Sequence, residues 1–227
     1  GRVQGVAQAI ASILNYIGAN WTLLDGEWCC GHPLYVSGAV SKYRELAEHN
    51  VKAIESTGAK IVVTGCPGCR LALAEEYPAI LGYEPDFEVL HFTQLLNKWI
   101  AEGKIKLEKS EDSVTYHDPC ELARLGGVID QPRRVISALT SKFIEPLERG
   151  KDGVCCGSGG MLKATNPALS ATLAEMRLNS LLNTGVTTVL SACPTCDQSL
   201  AEAAVKAQKS VRVVDLTQLV AERLGLM

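Results

Sequence analysis

The 227-residue chain lacks any apolar run near the roughly 20 residues a helix needs to cross a bilayer. It also lacks a basic excess: the net charge is −3 and the Lys and Arg residues are dispersed, which argues against a nucleic-acid partner. There is no Gly-x-Gly-x-x-Gly, no phosphate loop ending in Lys-Ser/Thr, no flavin motif and no ferredoxin-type cysteine run. Electrons or nucleotides, if the chain handles them, must come from outside it. The nine cysteines suit a disulfide scaffold poorly, being odd in number and partly adjacent. Neighbouring α-carbons stand about 3.8 Å apart, closer than a disulfide normally bridges. Metal-bound thiolates in a reducing cytoplasm are the better expectation.

What is present is a repeated cysteine grammar. Cys120 is followed after 34 residues by the pair Cys155-Cys156, which opens the run Cys155-Cys156-Gly157-Ser158-Gly159-Gly160, and 36 residues separate that pair from Cys193-Pro194-Thr195-Cys196. Earlier, Cys29-Cys30-Gly31 is followed after 35 residues by Cys66-Pro67-Gly68-Cys69. Gly58 answers Gly185, and Thr93-Gln94-Leu95 answers Thr217-Gln218-Leu219. An internal repeat of this kind implies two copies of one module. The first copy lacks a counterpart of Cys120, which would fall about six residues before Gly1. The chain also opens on glycine, so we expect it to be a piece whose leading cysteine has been cut away.

Alternating patterns point to an α/β fold: two pseudo-symmetric modules, 1–104 and 113–227, with mainly parallel sheets flanked by helices. Val3, Val6, Ala7, Ile10, Ile13, Leu14 and Ile17 predict an opening helix. Residues 21–24 predict a strand, 37–57 a helix carrying Leu46, Val51 and Ile54 inward, and 61–63 a buried parallel strand. A helix over 68–77 ends at Pro78, a strand follows at 87–91 and a helix at 92–100. The charged stretch 101–112 is the expected boundary. Beyond it come a strand at 114–116, a helix at 132–139, a weak strand at 143–147 interrupted by Pro146, and a strand at 187–190. Asn166 and Pro167 predict the start of a helix that buries Leu169, Leu173, Met176 and Leu181.

Pro67 and Pro194, each following the first cysteine of a Cys-x-x-Cys, place both motifs at strand-to-helix junctions. There the helix dipole and free amides favour thiolate. Gly157, Gly159 and Gly160 are candidates for close backbone approach to a cofactor. His117 and His32 beside cysteines suit a hydrogen-bonded structural role or a proton relay, and Arg70, Arg124 and Lys163 a charge-offsetting or a surface role.

The grammar resembles the CCG cysteine-rich domain of the heterodisulfide reductase catalytic subunit and of related iron-sulfur oxidoreductase subunits. The resemblance implies that Cys120, Cys155, Cys156, Cys193 and Cys196 hold one 4Fe-4S cluster, of noncubane form, and that Cys29, Cys30, Cys66 and Cys69 hold another. These cluster-bearing cysteines would stand in place of conventional catalytic side chains. It further implies a disulfide or thiol substrate, or electron transfer from a flavin partner in the hydroxy-acid oxidoreductases. A ferredoxin-type or flavin-containing subunit would supply electrons, and membrane contact would come only through a partner. Zinc is the competing metal, since four thiolates also make closed zinc sites. Five ligands exceed what tetrahedral zinc uses.

Overall fold

The structure, a computed structural model, describes residues 4–227. It is α/β, with every strand pair parallel, as expected. The first sheet has two strands, β1 (Ile61–Thr64) and β2 (Glu88–His91), in register from Ile61 opposite Glu88 to Thr64 opposite His91. The second has four: β3 (Ser110–Tyr116), β4 (Thr140–Phe143), β5 (Thr188–Ser191) and β6 (Arg212–Asp215), in the order β4-β3-β5-β6. Parallel neighbours need long crossovers, so helices cover the sheets and the carboxyl ends of the strands are left for loops.

The repeat is plain in three dimensions. β1–β2 matches β5–β6, and in each pair the crossover begins with Cys-Pro at the start of a helix, Pro67–Leu71 or Pro194–Lys206. Each second strand ends in a residue whose side chain caps the next helix. His91 Nδ1 accepts from Thr93 N–H at 3.3 Å, and Asp215 Oδ1 from Thr217 N–H at 2.7 Å. That capping accounts for the repeated Thr-Gln-Leu. In the first copy Gln94 completes it, its Oε1 accepting from the His91 N–H at 3.0 Å.

The largest core draws on both repeats. Helix Gln4–Tyr16 packs on helix Leu216–Arg223, and helix Phe92–Ala101 on helix Asp130–Leu139. Ile13, Leu96, Val135 and Leu216 are wholly buried between them. Each such side chain contributes about 1.5–3 kcal/mol of transfer free energy. Smaller cores lie within each half, around Tyr43, Val51 and Tyr77, and around Leu178, Val189 and Leu200. Among the described residues no helix is long and apolar enough to cross a membrane.

Several elements differ from expectation. Residues 21–24 form no strand: Leu23 is 75% exposed, and the Trp21 indole donates to Asn15 Oδ1 at 2.9 Å. They run along the free side of β1, across a trough of about 380 Å³, and form no ladder with it. β1 is parallel but not fully buried, with Ile61 44% exposed, because it has a neighbour on one side only. Residues 32–36, just ahead of the expected helix over 37–57, form a short helix of their own before helix Val40–Ser56. Pro78 does not end its helix. The π turn Ala72–Glu76 restarts the hydrogen-bond register, so the missing N–H falls at the head of helix Tyr77–Leu81.

β3 already begins at Ser110, inside the stretch read as a boundary, and β4 ends at Phe143, short of Pro146. Helix Pro167–Leu182 starts as expected, with Asn166 Oδ1 accepting from Leu169 N–H at 3.1 Å. Leu181 is buried as expected, but the rest of the buried face is Ser170, Ala174, Arg177 and Leu178, while Leu169 and Met176 are exposed. The face turned inward carries polar groups that find partners there, so apolar spacing misread it. Val3 lies outside the described residues.

Candidate metal centre

All nine cysteines are free thiols, and all nine line one cleft of about 590 Å³. Cys66 and Cys193 follow β1 and β5, and each is the residue that precedes a proline-initiated helix. Cys120 stands after β3 at the head of a π turn, Glu121–Leu125. Cys155 and Cys156 arrive on an irregular arm. Within the second set the Cys120 and Cys155 sulfurs are 3.8 Å apart, and those of Cys156 and Cys196 are 3.3 Å apart. Cys156, Cys193 and Cys196 are buried together. The first set is more open, and Cys29 is exposed.

The glycine of Cys-Cys-Gly has the same task in both copies. Gly31 at φ 76 and Gly157 at φ 78 turn the chain so that their own N–H donates back to the first cysteine sulfur, at 3.4 Å to Cys29 and 3.3 Å to Cys155. A side chain disfavours that positive φ, and the reversal brings an amide onto a thiolate. The cysteine carbonyls are also held: Asn50 Nδ2 donates to Cys29 O at 3.1 Å, Tyr77 OH to Cys30 O at 2.9 Å, and Ser199 Oγ to Cys156 O at 3.2 Å.

Of the three glycines singled out in the sequence, Gly159 and Gly160 line the cleft, whereas Gly157 backs onto helix Pro167–Leu182. A Cβ on Gly157 would stand 2.6 Å from Leu173 Cβ and 3.0 Å from Ser170 O; at Gly160 it would meet nothing within 4 Å. Gly157→Ala should therefore cost about 1–3 kcal/mol in denaturant unfolding. Gly160→Ala should cost less, from its φ of 58 alone. Equal losses for the two variants would contradict this.

Crowding sets the thiols against one another. Hydrogen bonding from Cys120 and then Cys156 pulls the Cys155 thiol down to about 2, and the hydrogen bond with Cys155, then burial, pushes Cys120 up in return. Cys155 also pushes Cys156 up to about 12, and Cys196, beside Cys156 and Cys193, is driven well above its usual value. In the first set Cys69 draws Cys30 down to about 6 and Cys66 to about 7, at the expense of its own ionisation. Within each set, thiolates this close oppose one another's charge, which a bound cation would offset. Such a donor set fits an iron-sulfur cluster, which takes several thiolates at once.

Between the two sets stands His32. Its Nδ1 is 2.9 Å from Glu76 Oε1 and its Nε2 3.3 Å from Glu121 Oε1, while Tyr43 OH donates to Glu76 Oε2 at 2.8 Å. Hydrogen bonds to Glu121, then Glu76, raise its pKa to about 10, so the ring is a cation linking the two repeats across the cleft. His117 is the opposite case. It is buried, and desolvation with the nearby Arg177 charge holds it down to about 3, hence neutral. Lys163 lines the cleft and pairs with Glu202 at 2.7 Å. Arg124 straps the arm before Cys155, donating to Lys151 O at 2.8 Å and Gly153 O at 2.7 Å. Arg70 is largely buried, with its Nη1 3.7 Å from Glu75. Sequence reasoning missed Glu76, Glu121 and Arg177. Adjacency to Cys120 was a signal for Glu121; the other two had none.

The family described as CCG, cysteine-rich domain, matches residues 2–74 and 114–201. This chain belongs to it. The two matched segments are the two repeats, and both CCG segments end within or just beyond a Cys-x-x-Cys helix. Among curated relatives, the CCG chain is 42% identical over 228 residues to a subunit of the dihydromethanophenazine:CoB--CoM heterodisulfide reductase of Methanosarcina acetivorans. That match covers 97% of this chain and 56% of the relative. It is 34% identical to the EtfAB:quinone oxidoreductase of Syntrophomonas wolfei, over 96% of this chain and 32% of that protein. It is 31% identical to a subunit of the fumarate reductase (CoM/CoB) of Methanothermobacter marburgensis, over 96% of this chain and 43% of that protein. The chain thus spans about half the length, or less, of the curated relatives it matches.

Proposed function

We propose that this chain is the cluster-bearing part of an oxidoreductase subunit of heterodisulfide reductase type. The observation that carries the reading is the convergence of two repeated thiol sets on a single cleft. Cys120, Cys155, Cys156, Cys193 and Cys196 would hold one iron-sulfur cluster, and Cys29, Cys30, Cys66 and Cys69 the other. Bound there, such clusters supply one-electron acceptors and donors. The chain's own residues do the rest. Gly31 and Gly157 amides donate to thiolate sulfur, and the His32 cation offsets negative charge between the sets.

Pro33, Val36, Met161 and Ala164 give the cleft an apolar wall beside the thiols. We infer a small disulfide or its thiols as the substrate, and a ferredoxin-type or flavin-containing subunit as the electron partner. A relay of electrons from a flavin partner, as in a hydroxy-acid oxidoreductase, is the second reading, favoured by the similarity to the Syntrophomonas quinone oxidoreductase. The divisions 1–104 and 113–227 are proposed as units of duplication, since the core is shared between them. Metal and acid-labile sulfide analysis of anaerobically purified protein tests the reading. Brown protein with iron and sulfide is expected; colourless protein with stoichiometric zinc overturns it.

A further inference from the structure

His117 closes β3, its N–H donating to Leu190 O at 2.8 Å, and its ring is fully buried. Arg177, also fully buried, reaches it from helix Pro167–Leu182 and donates Nε–H to His117 Nδ1 at 3.1 Å. The guanidinium cannot turn away. Its Nη2 donates to Glu148 O at 3.1 Å and its Nη1 to Ser180 Oγ at 3.3 Å, and Ser180 Oγ in turn donates to Glu148 Oε2 at 2.6 Å.

Arginine has five donors, no acceptor and no accessible neutral form. Nδ1 must therefore present its lone pair, and the single proton of the neutral ring sits on Nε2. Nε2 has no hydrogen-bond partner among the described residues. A ring nitrogen of His117 and the sulfurs of Cys156 and Cys196 all lie within 4.8 Å of one another. Taken by distance, these three groups look like a metal-ligand set. The arginine excludes it, because a histidine ligand binds metal through a lone pair and the only nitrogen left to face the sulfurs carries hydrogen.

We propose that Arg177 locks His117 as the Nε2–H tautomer, so that His117 donates a hydrogen bond to sulfur at the second cluster instead of ligating its metal. Arg177 and His117 are thus a positioning pair for that cluster. The cluster part rests on the iron-sulfur reading above; the tautomer does not. Donation to sulfur favours the more negative, reduced state and raises the reduction potential. Helix Val40–Ser56, which occupies the corresponding place in the first repeat, carries Asn50 there, bonded to the Cys29 carbonyl, so the two sites are tuned differently.

Nitrogen-15 spectra of the metal-free chain, labelled at histidine, test the lock directly. The ring signal that disappears in His117→Phe should show Nε2 protonated and Nδ1 bare, unchanged through the ordinary histidine titration range. In the iron-loaded chain, His117→Phe and Arg177→Met should each lower the midpoint potential of the second cluster. A tenfold loss in the one-electron reduction constant, about 59 mV, is expected. His117→Gln, which keeps an N–H in the same place, should restore most of it; this pair of His117 variants suffices should Arg177→Met not fold. A protonated Nδ1, or an unchanged potential in His117→Phe, overturns the inference. A chain that takes up no iron overturns the underlying reading instead, and the nitrogen-15 result then decides the tautomer alone.

Discussion

Replacing Cys120 by Ser should leave iron bound but change the kind of cluster, giving a cubane-like 4Fe-4S signal in electron paramagnetic resonance and loss of electron-accepting activity. Four thiolates suffice for a cubane, and Cys155, Cys156, Cys193 and Cys196 would remain. Cys120 is the outlying member. It is half-buried and its sulfur is 3.8 Å from that of Cys155, whereas Cys156 is buried with its sulfur 3.3 Å from that of Cys196. Cys156→Ser should therefore be harsher and empty the second site of iron. Retention of the wild-type spectrum and activity by Cys120→Ser would make Cys120 a bystander thiol.

The second large effect is expected at Arg133. Its Nη1 and Nη2 donate to the two oxygens of Asp118 at 2.8 Å each, and its Nε and Nη2 reach Glu145 at 2.7 and 3.1 Å. Its guanidinium also lies 5.7 Å from the Tyr116 ring centre. The Asp118 side chain is 1% exposed, and its Oδ2 accepts from Gly150 N–H at 2.8 Å. This one carboxylate thus ties the approach to Cys120 to the arm that leads to Cys155. Arg133→Met leaves a charge buried with one backbone donor for company, so unfolding free energy should fall by about 3–5 kcal/mol. Asp118→Asn combined with Arg133→Met should recover part of the loss, because the stranded charge is gone. Urea titration of both variants checks this, and additive losses would contradict the pairing. Iron should leave the second site before the first.

Much of the site was legible because its signals are local. A proline after the first cysteine of Cys-x-x-Cys reports a helix start, and glycine after Cys-Cys reports a positive φ, whatever the rest of the chain does. Strands alternating with helices likewise betray a parallel sheet. Long-range polar pairings were not legible. Arg177 meets His117 across 60 residues, and His32 meets Glu121 across 89. The first of these inverted the reading of helix Pro167–Leu182, since apolar spacing assigns an arginine to solvent while this one is matched on every side. Residues 21–24 failed for a related reason. Strand propensity acts only where a neighbouring edge accepts the ladder, and here a trough intervenes.

That same trough leaves β1 with a free row of backbone donors and acceptors, while its counterpart β5 is paired on both sides by β3 and β6. Among the described residues β1 thus lacks the neighbour that β3 gives β5, and an unpaired parallel edge is a template for a further strand. With Ile61, Val62 and Val63 in a row, a strand laid there would extend the first sheet as β3 extends the second. What limits such pairing is brevity, four residues of strand.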